Sequence, residues 1–190
     1  NNEHNSANSV ALNNYLTSLS KPELKKLISD PHWNSYPEYV YYKSMNTRNS
    51  TTHNPKDYFR IINPAIKQLL YSSFEYRKFF IKNSDGIFRI ITINSTLGAD
   101  KITAVKNGIL SRDTRVRKLA ATSAPISFLV KNLSNEKNSS VLSIYCKRIG
   151  HVNIPKALLS SPYRYHRSQA FLQDSFNKDE ISELLMIKKS

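Results

Sequence analysis

Arg89 is the residue of this sequence with the plainest demand for a chemical partner, because it sits inside the apolar run Ile87-Phe88-Arg89-Ile90-Ile91-Thr92-Ile93. A guanidinium keeps its charge when buried, so it needs a carboxylate, a phosphate or several carbonyls beside it. Glu75 or Glu183 would meet that need as an internal ion pair; a negatively charged ligand would meet it as a binding site. A second group, Tyr163-Arg164-Tyr165-His166-Arg167, interleaves rings with cations. Rings of this kind stack on bases while cations hold phosphates. His151 and His166 could add acid–base groups for RNA cleavage.

The charge balance points the same way. Twenty-eight Lys and Arg against fourteen Asp and Glu give a net charge of +14 and a pI near 9.9. Such an excess favours nucleic acid, an anionic membrane or an acidic partner. The cations are scattered, however, and the longest group, Arg112-Asp113-Thr114-Arg115-Val116-Arg117-Lys118, is short and interrupted. A single cysteine, Cys146, excludes an intrachain disulfide and a Cys-based zinc cluster, and its apolar surroundings suit an inert buried thiol. Five histidines show no HExxH or HxH spacing, so no metal is expected. Neither a membrane-length apolar run nor a signal peptide is visible. The first residue is Asn rather than Met, which suits a piece of a longer polypeptide.

With 190 residues and 39% hydrophobic content, the chain can bury the core of one domain. Residues 1–8 are polar and Asn-rich and read as a disordered tail. Apolar residues at helical spacing follow from Ser9, and Ser20-Lys21-Pro22-Glu23 resembles a capping box opening a second helix. Tyr36, Tyr39, Tyr41 and Tyr42 suggest a short strand, 44–56 a loop, and Asn63-Pro64 the start of a longer helix. Asn83-Ser84-Asp85-Gly86 reads as a turn into a strand over 87–93. Asp100 is expected to cap a helix ended by Asn107-Gly108. Residues 125–130 form a brief apolar piece, 132–140 a polar turn, and 141–147 and 184–187 two further strands. The predicted architecture is α+β in a single domain: a mainly helical lead-in over 9–82, then a small mixed β-rich core over 83–190.

The order of an arginine in a buried strand (Gly86-Ile87-Phe88-Arg89), a hydroxyl pair (Ala121-Thr122-Ser123) and a late glutamate (Ile181-Ser182-Glu183) resembles the mono-ADP-ribosyltransferase toxins, whose signature is Arg, then Ser-Thr-Ser, then Glu. The resemblance covers about 86–190. It implies that Arg89 holds the NAD pyrophosphate, that Thr122 and Ser123 brace the pocket, and that Glu183 is catalytic. NAD would be the co-substrate, with no metal. Phe171, Phe176 and Asp179, on the loop before the catalytic strand, become candidate contacts to the target. It further implies a monomeric effector that is secreted or translocated into a host-cell cytosol, works in a reducing compartment and modifies a host protein. Ala121 and Ile181 depart from the family pattern, and Ile181 argues against arginine as the acceptor. Two other functions stand beside it: a basic RNA-binding or RNA-cleaving module, and a non-enzymatic adaptor with a cationic face.

Overall fold

The computed structural model describes residues 2–30, 55–150, 154, 158, 159 and 161–171. Ten α-helices and one 3₁₀ turn account for their regular structure, and no strand occurs among the described residues. The α+β expectation is therefore corrected to an all-helical one. The expected strands at 36–42 and 184–187 lie outside the described residues.

The chain divides into two compact units, 1–120 and 121–190. The first contains α1 (Asn2–Ser18), α2 (Lys21–Ser29), α3 (Pro55–Ser72), α4 (Phe74–Asn83), α5 (Gly86–Ser95) and α6 (Gly98–Ile109). The boundary falls within α7 (Thr114–Ser123). The second unit continues with α8 (Ile126–Asn132), a 3₁₀ turn at Leu133–Asn135, α9 (Ser139–Ile149) and α10 (Arg164–Phe171).

Local signals explain most of these boundaries. Ser20 and Glu23 form the reciprocal capping box at the start of α2, with Pro22 in the first turn. Ser73 caps α4 by accepting from Tyr76 N. Pro64 does not open a helix: it lies inside α3, which begins at Pro55. Leu97 rather than Asp100 precedes α6, and Asp100 sits in the first turn, where negative charge favours the helix dipole. Gly108 does not end α6 but lies within it, and a Cβ there would come within 2.9 Å of both Ala120 Cβ and Ile93 Cδ1. That glycine lets the backbones of α6 and α7 approach closely.

The expected strand 87–93 is the helix α5, the centre of the first unit. Eight of its ten residues are buried, and it packs on α3, α4 and α6. A helix covered on every side is apolar on every side, so the 3.6-residue period that distinguishes it from a buried strand disappears. Isoleucines and a threonine then read as β-formers. Asp85 favours the helix by accepting from Gly86 N, and Thr92 and Thr96 turn their hydroxyls back to the carbonyls of Phe88 at 2.7 Å and Thr92 at 2.8 Å. Around α5 lie Leu16, Leu24, Ile28, Ile66, Leu70 and Phe80.

The expected strand 141–147 is likewise a helix. In α9 the residues Val141, Leu142, Tyr145, Cys146 and Ile149 are buried, at helical spacing rather than alternation. Asn138 caps the start, and Gly150, whose φ of 82° is one that residues with a Cβ rarely adopt, ends it. Arg148 Nη1 donates to the carbonyls of Ala121 at 2.8 Å and Ala124 at 2.5 Å, tying α9 to the chain around the end of α7.

Candidate anion-binding site

Arg89 is 5% exposed, so the sequence-based expectation of a buried guanidinium holds in a helix instead of a strand. Its Nη1 donates to the carbonyl of Ile81, near the end of α4. Asn107 of α6 donates to that same carbonyl at 2.8 Å. The carboxylate whose charge acts on Arg89 is Asp85, four residues earlier in the sequence, rather than Glu75. Burial lowers the Arg89 pKa to about 10, and Asp85 offsets only part of that effect.

Arg89 opens onto a cleft of about 770 Å³. Its lining comes from the last residue of α2 (Ser29), the end of α4 (Lys82, Asn83), Ser84 and Asp85, the end of α6 (Asn107), and the loop into α7 (Leu110 to Arg115). Asp85 N donates to Ile28 O at 3.0 Å, which fixes the start of α5 to the end of α2. The Ser111 hydroxyl donates to Asp85 Oδ1 and accepts from Asp113 N at 3.0 Å. Asp113 accepts from Arg115 N at 2.8 Å and pairs with its guanidinium at 2.6 Å. Arg117 braces the loop from below, donating to the carbonyls of Ser111 and Arg112 at 3.0 Å.

Two carboxylates and four cations therefore share the cleft. Burial pushes the Asp113 carboxyl up, but its hydrogen bonds from Arg115 and its charge attraction to that residue outweigh this and hold it below the usual range. Lys82 and Arg112 are exposed and form no ion pair among the described residues. Asp85 and Asp113 each accept from a backbone N–H at the start of a helix, so the acids are held by local structure. Lys82 and Arg112 are the exposed cations of the cleft.

The other expected site residues are distributed as follows. Thr122 and Ser123 occupy the last turn of α7 and are exposed. Phe171 ends α10 and is 58% exposed. Phe176, Asp179 and Glu183 lie outside the described residues, as does His151. The Tyr163–Arg167 cluster has structural duties. His166 is 1% exposed, with Nε2 2.6 Å from the Glu136 carbonyl and Nδ1 2.8 Å from the Ser161 hydroxyl. Tyr163 packs edge-on against it, and Arg167 donates to Ser161 O at 2.8 Å. Among the described residues no group of His, Cys, Asp or Glu is placed to hold a metal, and no helix is long and apolar enough to cross a membrane.

Lys82, Asp85, Ser111 and Arg112 were not singled out as site residues by sequence. The available signal was weak: Asp85 and Asp113 each precede a helix and lie within four positions of an arginine. Compared with protein-family models, curated proteins and solved structures, the chain matches none.

Proposed function

We propose that this chain is a helical nucleic-acid-binding module whose cleft takes a backbone phosphate on Arg89. The observation that supports this most is Arg89 itself. A guanidinium carries five N–H donors, and at 5% exposure this one has, among the described residues, the Ile81 carbonyl as its hydrogen-bond acceptor. Its remaining N–H donors face the cleft, and Asp85 offsets only part of the cost of burying its charge; a phosphate supplies acceptors and further counter-charge there, in the paired geometry that arginine favours. Lys82 and Arg112 stand at the rim to meet neighbouring phosphates, and the net charge of +14 draws a polyanion in from a distance.

The NAD-dependent reading rests on the order of Arg89, Thr122-Ser123 and Glu183 alone. Its strand-borne Arg89 is helical, and Glu183 falls outside the described residues. The anion site keeps the arginine and its demand for phosphate without requiring the rest.

Binding of a fluorescein-labelled oligoribonucleotide, followed by anisotropy against salt concentration, tests the proposal. The wild type should bind with log K falling linearly with log salt, and the double variant Lys82→Glu/Arg112→Glu should bind at least about ten-fold more weakly, with a shallower slope. Equal affinity and slope in the two proteins would overturn it.

A further inference from the structure

One face of α4 leads into the cleft. Phe74, Lys78 and Lys82 follow one another at intervals of four residues, which places them on one side of the helix over about 12 Å. All three are exposed: Phe74 at 57%, the Lys78 side chain at 53%, and Lys82 at the cleft rim. Tyr71, at the end of α3 and 65% exposed, adds a second ring a few residues away. Phe74 stands exposed on the same helix that buries Phe80 completely.

The Phe74 ring is held by its neighbours. The Arg77 guanidinium lies 5.5 Å from the ring centroid and Lys78 Nζ lies 5.1 Å from it. Both cations are also paired with Asp100, at 3.0 and 2.9 Å. An exposed cation–π contact is worth about 0.5–1 kcal/mol, whereas a base stacked on an aromatic side chain is worth about 1–3 kcal/mol. A base on the ring therefore outcompetes the cation–π contact, and Lys78, the more exposed of the two cations, stands beside it within reach of the adjacent phosphate while it keeps its contact with Asp100.

We infer that the Phe74–Lys78–Lys82 face of α4 is a track for single-stranded nucleic acid, with a base stacked on Phe74 and successive phosphates passing Lys78 and Lys82 to Arg89. The inference rests on the phosphate reading of the cleft and adds base contact to it. At a stacked rise of about 3.4 Å per nucleotide, the track spans roughly three nucleotides. A duplex fits it poorly, because its base faces are covered by their neighbours and exposing one costs a few kcal/mol. Stacking does not read the sugar, so RNA and DNA single strands should bind alike.

Two probes separate the track from the cleft: a labelled ten-nucleotide oligoadenylate, and base-free polyphosphate used as a competitor. Phe74→Ala should weaken oligoadenylate binding about five- to hundred-fold and leave polyphosphate binding unchanged, while Phe74→Tyr, which keeps the ring, should stay within about three-fold of wild type. Lys82→Glu/Arg112→Glu should weaken both probes. If Phe74→Ala leaves oligoadenylate binding intact, or weakens both probes equally, the track is wrong and the cleft stands. If the double reversal weakens neither probe, the cleft falls and the track with it.

Discussion

Arg89 of α5 and Asn107 of α6 donate to one acceptor, the carbonyl of Ile81 in α4. That oxygen has two lone pairs and both are taken, so the rest of the guanidinium depends on the cleft. Arg89→Met keeps the buried stem and removes the charge. Exchanging a poorly compensated buried charge for an apolar side chain is commonly close to neutral, so the variant should unfold in urea within about 1 kcal/mol of wild type. A loss above about 3 kcal/mol would make Arg89 a structural pin.

Gly108→Ala should destabilise the protein. In an exposed helix the change gains up to about 1 kcal/mol. Here the new methyl group meets Ala120 Cβ and Ile93 Cδ1, each at 2.9 Å, and overpacking of this kind costs about 1–3 kcal/mol. Thermal unfolding monitored by circular dichroism would show a lowered midpoint, with Ala120→Gly restoring part of it in the double variant.

The start of α7 should be acid-sensitive through Asp113. Its carboxyl is held below the usual range by Arg115 despite burial, so the folded state binds that proton less readily than the unfolded chain. The resulting stability is present above the unfolded value near pH 3.9 and is lost as pH falls through the lower folded value. Asn caps a helix about as well as Asp but carries no charge. The advantage of wild type over Asp113→Asn should therefore be full at pH 6 and vanish in strong acid, as read from urea midpoints across that range.

In the second unit, His166 joins α10 to the turn before α9 through Glu136 O and Ser161 Oγ. His166→Ala would remove one hydrogen bond from each of these groups and open a cavity. The expected cost is about 2–4 kcal/mol from these two sources, measurable as a drop in the urea midpoint.

How much of this was legible depended on whether a feature was local. The capping box at Ser20–Glu23 lies within four residues, and α2 could be read from it directly. Central α5 could not, because burial on every side removes the polar face that marks a helix. In α9 the helical spacing of Val141, Leu142, Tyr145, Cys146 and Ile149 is present, but an apolar run as short as 141–147 fits a strand equally well. The burial of Arg89 followed from its neighbours in sequence. Its setting did not, because its acceptor Ile81 comes from α4, and Asn107 and Ser111, which line the same cleft, come from α6 and the loop after it.

Affinity of Arg89→Met for single-stranded RNA, set beside wild type at the same salt concentration, bears most directly on the anion site. A charge-assisted hydrogen bond contributes about 1.5–3 kcal/mol, so binding should weaken roughly ten- to hundred-fold while the fold is kept. A well-folded Arg89→Met protein with wild-type affinity would contradict the assignment of the cleft.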